Sequence, residues 1–331
     1  DWASILDPAC RLTMDAIRQG TPAVLLRSRP APAVRHLVAP IVVENEINVL
    51  FGPPGVLKSL IAAVIARLAV SKGQLASLSA TRTCPVMVID GEASLIEWEG
   101  RDHRLSQADG WNSDGWIYYR RLTRSLDTEA ASLKAEISRL GIGLVIVDSF
   151  GMAAGAEPEG ADAAIRLLST LRGLGPNVTI LLICHVSHAS AEQKQGATKP
   201  YGSIYVTALG RSIWEARRDD DGGDDVVVSL FHRKCNVARL HAPLALRFHF
   251  TDTAIHVEGA ELGERPELLA RATLRQQIHA LLKRGARSVP SMAEELEAKP
   301  ASVERTIQRM REAGQVVAVG TAKPQPWGLA R

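Results

Sequence analysis

Four short stretches of this 331-residue chain are apolar without alternation: I-N-V-L-F at 47–51, P-V-M-V-I-D at 85–90, L-V-I-V-D at 144–148 and T-I-L-L-I-C at 179–184. A strand with one face in water alternates apolar and polar residues. A continuous run marks a strand covered on both faces. Helical patterns lie between the runs, over 58–71, 94–106, 127–140 and 162–172. Strand and helix in alternation specify an α/β fold with a parallel central sheet. Beyond Arg217 the pattern changes. The turn R-R-D-D-D-G-G-D-D joins I-W-E-A to V-V-V-S-L-F, and a further strand is expected over 244–250. This predicts a hairpin at an antiparallel edge of the sheet.

The boundaries follow from composition. Residues 1–40 form an N-terminal segment with a short helix over 9–19 and a Pro-rich approach, 41–258 the α/β domain, 259–270 a polar linker and 271–331 a separate small unit. No initial Met is present, which leaves room for residues upstream, and no signal peptide pattern is seen. The net charge of +3 is uneven: residues 271–331 hold 11 Lys/Arg against 5 Asp/Glu, so the remainder is net negative. A basic tail on an acidic body points to an anionic partner at the tail.

Within that tail, Leu274, Ile278, Leu281 and Leu282 share one face of a predicted helix over 272–283. A short helix follows over 291–297. A third spans 301–313, with Val303, Ile307 and Met310 on one side and Glu304, Arg305, Gln308, Arg309 and Arg311 on the others. Q-V-V-A-V-G and W-G-L-A then read as a two-stranded wing. This order predicts a winged helix-turn-helix whose third helix enters a major groove of double-stranded DNA, with Arg305 and Arg309 as contacts. A winged helix used for protein contact is the alternative.

Other classes are excluded. The longest apolar run, Leu60 to Val70, contains Arg67 and is too short to span a bilayer. Cys10, Cys84, Cys184 and Cys235 form no C-x-x-C pair. That argues against a disulfide framework or zinc site and predicts a reducing, cytoplasmic setting. His185 and His188 lack an evident third partner for a metal.

The chemistry gathers at the strand ends. After the first run the chain reads G-P-P-G-V-L-K-S, one residue away from G-x-x-x-x-G-K-[ST], because Leu57 stands where the pattern has glycine. Strand, glycine loop and helix together make a phosphate cradle. Backbone N–H groups from Gly52, Pro53, Pro54, Gly55, Val56 and Leu57 through Lys58, Ser59 and Leu60 surround the anion at a helix N-terminus, save that the prolines donate none. Lys58 would reach the outer phosphates of ATP, and Ser59 would place its hydroxyl on Mg²⁺. If residue 57 must be left-handed, a leucine there costs about 1–2 kcal/mol but keeps its N–H donor. Asp148 ends the third run and is placed for Mg²⁺. Glu92, in D-G-E-A-S, could orient an attacking water, and His185, in C-H-V-S-H, could sense the γ-phosphate. Strand-terminal acids also cap turns and helix starts. The coincidence of several at one edge favours a site, because ligands of open parallel sheets bind at the C-terminal edge.

The series G-P-P-G-V-L-K-S, V-I-D-G-E-A-S, L-V-I-V-D-S-F, C-H-V-S and Y-G-S-I-Y-V-T-A-L-G-R-S-I-W resembles the RecA-like ATPases of the RepA type, hexameric replicative helicases of plasmids and phages related to the DnaB-type helicases. The likeness covers about residues 35–250. It implies Lys58 and Ser59 as the phosphate-loop pair, Asp148 as the metal-side carboxylate, Glu92 as the catalytic glutamate and His185 as the sensor. It implies that Arg211 serves a neighbouring subunit's nucleotide, with Arg233 and Lys234 as further basic residues acting in trans. The stretch 193–203, with Lys194 and Lys199, matches a loop facing single-stranded DNA. The family usually has a second His or a Lys after the sensor, and this chain has Val186 and His188. The expected function is an ATP-driven DNA motor, a helicase or loader of a plasmid, phage or integrated element, assembled as a homo-oligomeric ring or filament. The alternatives are an ATP-switched DNA-binding regulator and a KaiC-like signalling ATPase that does not unwind DNA.

Overall fold

A computed structural model describes residues 2–19, 23, 25, 33–108, 115–155, 160–186, 199–201, 204–218, 225–260, 273–321 and 323–330. The chain divides into two units, Asp1–Ala33 and Val34–Arg331. The first contains helix α1 (Ala3–Gln19), longer at its start than the predicted 9–19, with Ile5, Leu6, Leu12 and Met14 exposed.

The second unit opens with β1 (His36–Ala39), β2 (Val42–Val43) and β3 (Ile47–Phe51), then α2 (Lys58–Ser71) and the short strands β4 (Gln74–Leu75) and β5 (Leu78–Ala80). β6 (Val86–Asp90), α3 (Leu95–Ser106) and β7 (Ile117–Arg121) follow. Next come α4 (Ala130–Leu140), β8 (Leu144–Asp148), α5 (Phe150–Ala154), α6 (Ala161–Gly173), β9 (Thr179–Cys184) and α7 (Ile204–Leu209). The core ends with β10 (Ser212–Arg218), β11 (Asp225–Cys235), β12 (Leu244–Phe250) and β13 (Ile255–Gly259).

Nine of these strands form one sheet in the order β13-β12-β11-β10-β3-β9-β8-β6-β7. From β10 to β7 every pairing is parallel, and from β10 to β13 every pairing is antiparallel. The fold is a mixed α/β architecture around a large, mostly parallel sheet, consistent with a P-loop NTPase core. The hairpin β10–β11 differs from the expectation in its place. It lies inside the sheet, because β10 pairs in parallel with β3 while β12 and β13 extend the other side. The four-stranded sheet β2-β1-β5-β4 was not foreseen.

The continuous apolar runs are explained by two covered faces. Leu50, Val88, Ile146, Leu181 and Ile183 pack with α2, while Val49, Phe51, Met87, Ile89, Val145, Val147 and Leu182 pack with α4, α5 and α6. All five residues of β3, β6 and β8 are buried. Every parallel strand therefore ends at the same edge, and β3 sits between β9 and β10, where the order of connections reverses. Such a switch point opens a crevice at the C-terminal edge.

The C-terminal segment contains α8 (Leu274–Lys283), β14 (Arg287–Ser288), α9 (Val289–Glu295), α10 (Pro300–Glu312), β15 (Val316–Ala318) and β16 (Pro326–Leu329). Its strands form a sheet in the order β14-β16-β15, and Ile278, Leu281, Leu282, Met292, Val303, Ile307, Met310 and Val316 make its own core. Among the described residues it is bonded to the loop after β11, where Gln276 Nε2 donates to the His241 carbonyl at 3.1 Å and an Arg239 Nη donates to the Ala313 carbonyl at 3.3 Å. Among the described residues no helix is long and apolar enough to cross a membrane. The four cysteines are free thiols.

Candidate functional site

The loop between β3 and α2 is shaped by close approaches. A Cβ on Gly52 would lie 2.5 Å from the Ala216 carbonyl oxygen, so only glycine fits there. Gly55 has φ 77° and open space around it. Leu57 caps α2 with φ 60° and ψ 27°, the left-handed conformation in which a leucine costs about 1–2 kcal/mol. Its side chain packs on the apolar cluster around α2, which returns part of that cost. Lys58 is buried and its Nζ donates to the Gly52 and Pro53 carbonyls at 3.0 and 2.8 Å. Burial lowers its pKa, and the negative charges of Asp148 and Glu92 oppose that shift.

Ser59, the second residue of α2, hydrogen-bonds through its hydroxyl to Asp148 at the end of β8. Burial, with Asp90 and Glu92 nearby, pushes the Asp148 carboxyl up to about 6, while the Ser59 hydroxyl and the Arg101 charge pull the other way. The Asp148–Ser149 peptide is cis. Ser149 Oγ donates to Glu92 Oε1, and His185 Nε2 lies 3.6 Å from that same oxygen. His185, followed by Ser149 and Lys58, outweighs burial and holds Glu92 down to about 2. Nδ1 of His185 is buried and meets no hydrogen-bond partner among the described residues.

Lys58, Ser59, Asp148, Glu92 and His185 are thus brought together at the ends of β3, β8, β6 and β9. A hard cation takes oxygen ligands, and Mg²⁺ keeps several waters beside one or two carboxylates and phosphate oxygens. The joined Ser59 hydroxyl and Asp148 carboxylate fit that donor set. Among the described residues no group of three or more His, Cys, Asp or Glu could hold a metal alone. Phosphate fits the loop through its backbone donors and buried ammonium.

Other predicted residues lie elsewhere. Arg211 precedes β10, at the opposite, N-terminal edge of the parallel strands, with Nε 3.5 Å from Glu46. Lys234 donates to the carbonyls of Thr207, Ala208 and Gly210 and so caps the end of α7. Arg233 pairs with the buried Glu215, which also binds Arg217. Arg211 and Lys234 thus lie at the edge away from their own chain's phosphate loop, whereas Glu215, which holds Arg233, pairs in register with Phe51 beside it. Lys194 and His188 lie outside the described residues, as does most of the stretch 193–203. Lys199 is exposed. The described residues Pro200 and Tyr201 of that stretch lie beside the sensor: Tyr201 N donates to the His185 carbonyl at 2.6 Å, and Val186 bridges Pro200. Arg305 and Arg309 are exposed on α10, opposite the buried Val303, Ile307 and Met310.

Sequence reasoning missed Ser149, Asp90, Trp98 and Arg101. Arg101 lies over the Trp98 ring, 5.2 Å from its centroid, and one of its Nη atoms is buried without a partner among the described residues. Its charge lowers the Asp148 pKa. The spacing from Glu92 to Arg101 put it on the next helix, but an arginine on a helix has no signature of its own.

A family model described as an AAA domain matches residues 16–191, more than half of the chain. No curated protein matches it.

Proposed function

The chain belongs to the AAA-domain family of P-loop ATPases, and from that premise we propose that it is an ATP-hydrolysing DNA motor of the RepA type, a replicative helicase or loader. The convergence of Lys58, Ser59, Asp148, Glu92 and His185 on one sheet edge carries this reading.

In it, the loop N–H groups and Lys58 bind the phosphates, and Ser59 and Asp148 hold Mg²⁺. Mg²⁺, when bound, neutralises charge on the phosphate oxygens. Glu92, at about 2, is ionised throughout the physiological range. A carboxylate that acidic is a poor proton acceptor, so it works by orienting water through a hydrogen bond. Ser149 and His185 both hold the same carboxylate oxygen, Oε1. His185 stands at the root of the segment 187–198, so a change in its contact with Glu92 is felt where that segment leaves the core. Lys194 and Lys199 bind single-stranded DNA phosphates in this reading.

Arg211, remote from its own loop, acts on the neighbouring subunit's nucleotide across a head-to-tail interface, with Arg233 and Lys234 supporting that surface. Such an interface closes into a ring or runs on as a filament. The C-terminal segment is a winged helix-turn-helix, for which the order of α8, β14, α9, α10, β15 and β16 is the support. Arg305 and Arg309 contact duplex DNA in its groove.

A second reading is an ATP-switched DNA-binding regulator. The bonds from His241 and Arg239 of the core to the C-terminal segment favour it, because they give the nucleotide domain a direct hold on the DNA-binding part. Strand displacement with steady ATP hydrolysis, stimulated by single-stranded DNA, supports the motor. Nucleotide-dependent duplex binding without strand displacement overturns it in favour of the switch. Hydrolysis indifferent to any DNA, with no nucleotide-dependent DNA binding, overturns both.

A further inference from the structure

Asp90, the last residue of β6, is fully buried beside the site and has no part in the reading above. It pairs in register with Asp148, the last residue of the neighbouring β8. Both of its oxygens are occupied. Oδ1 accepts the N–H of Glu92 at 2.6 Å and that of Ala93 at 2.7 Å, and Oδ2 accepts the indole N–H of Trp98 on α3. A buried carboxylate is tolerated only when donors satisfy it, and here three do. The turn it grips is tight on every side. Gly91 N donates to the Asp148 carbonyl at 2.9 Å, Leu122 N donates to the Asp90 carbonyl at 2.8 Å, and a Cβ on Gly91 would meet the Met152 side chain at 2.8 Å.

We propose that Asp90 is a positioning residue for ATP hydrolysis, which fixes the backbone of Glu92 and is itself anchored on α3 by Trp98. The inference rests on the reading of Glu92 as the water-orienting group. With the peptide of Glu92 clamped, the carboxylate moves only by its own rotamers, between Ser149 and His185 on one side and the phosphate on the other. An asparagine at position 90 keeps the shape but has one acceptor oxygen. It serves the two backbone N–H groups or the indole, not both, and it sets an NH₂ against whichever donor is left. The clamp then slackens where Glu92 leaves the strand, while the phosphate loop, built from β3 and α2, is untouched.

The test is ATP hydrolysis by the full chain with Asp90→Asn, Trp98→Phe, Glu92→Gln and Asp90→Asn/Glu92→Gln, beside Lys58→Ala. Binding of a fluorescent ATP analogue and thermal melting are measured on the same samples. Asp90→Asn lowers kcat by about 10–100-fold with KM and analogue affinity within about threefold of wild type. Trp98→Phe, which removes a single donor, lowers kcat by about 3–10-fold. In the Glu92→Gln background the Asp90 substitution costs no further rate in single turnover, because both act through one group. A merely structural role would lower analogue affinity and melting temperature and would multiply with Glu92→Gln; that outcome overturns the proposal. So does an unchanged kcat in Trp98→Phe, which decides the matter if Asp90→Asn does not fold. If Lys58→Ala and Glu92→Gln leave hydrolysis intact, the site reading itself has failed. If they abolish hydrolysis while Asp90→Asn and Trp98→Phe turn over normally, only the positioning role is lost.

Discussion

The two edges of the nine-stranded sheet use charge in opposite ways. At the C-terminal edge, Lys58 and Asp148 are buried, Glu92 lies half-exposed beside them, and all three have pKa values moved by burial and by their neighbours. At the N-terminal edge, Arg211 lies half-exposed in a loose pair with Glu46, and Lys234 is spent on the carbonyls that end α7. The first arrangement is uncomfortable for an isolated fold and suited to an incoming polyanion with its cation. The second is at ease in a monomer and free to serve another surface. The contrast is one of partners: burial lowers the pKa of Lys234 as it does that of Lys58, but Lys234 is held by three carbonyls of its own chain, whereas, among the described residues, an ammonium and two carboxylates meet only at the C-terminal edge.

The largest effect that can break this contrast is the loss of Arg211. If it serves a neighbour's nucleotide, Arg211→Ala lowers kcat by about 10³-fold or more with nucleotide binding retained. Mixing Arg211→Ala with Lys58→Ala chains then restores measurable hydrolysis, because each supplies what the other lacks. Additive, inert mixtures with no rescue would confine the arginine to a structural role. Glu92→Gln follows, with a loss of about 10²–10⁴-fold in turnover and nucleotide binding unchanged. The next effect is on stability. Asp148 has a folded pKa of about 6 against an ordinary value of 3.8, so the fold binds its proton more tightly than the unfolded chain does. That contribution to stability is fully present below about pH 4 and is lost as pH rises through about 6. Asp148→Asn therefore stabilises the nucleotide-free protein at pH 8 by about 1–3 kcal/mol, and the gain vanishes near pH 4; denaturant unfolding at the two pH values checks it. The smallest effect is at Leu57. Leu57→Gly relieves the left-handed backbone but gives up apolar contact, so a net gain of about 0.5–1 kcal/mol is expected in thermal unfolding.

Much of the core was legible because its signals are strong. Continuous runs such as 144–148 and 179–184 allow no exposed face, and they coincide with β8 and β9 end to end. The phosphate loop was readable as a motif, but the left-handed backbone at Leu57 could only be posed as a question. β1, β2, β4 and β5 escaped notice because strands of two to four residues carry too little alternation to read. β7 escaped because I-Y-Y-R-R lies at the sheet's end, only partly buried, and mixes aromatic and basic side chains. The hairpin was recognised but misplaced, since nothing in β10 itself announces a parallel partner 164 residues earlier in the chain, Asn48 for Ser212. At the site, groups that act directly have recognisable contexts. Ser149, Asp90 and Trp98 act through other groups, and an indole eight residues from the carboxylate it holds has no sequence signature.

The most direct measurement is steady-state ATP hydrolysis in Mg²⁺ by the intact chain and by Lys58→Ala at matched concentration. If the C-terminal edge gathers the triphosphate, the wild-type chain turns over and Lys58→Ala falls to background while its melting temperature is retained. Undiminished hydrolysis in Lys58→Ala would contradict a phosphate site at this edge.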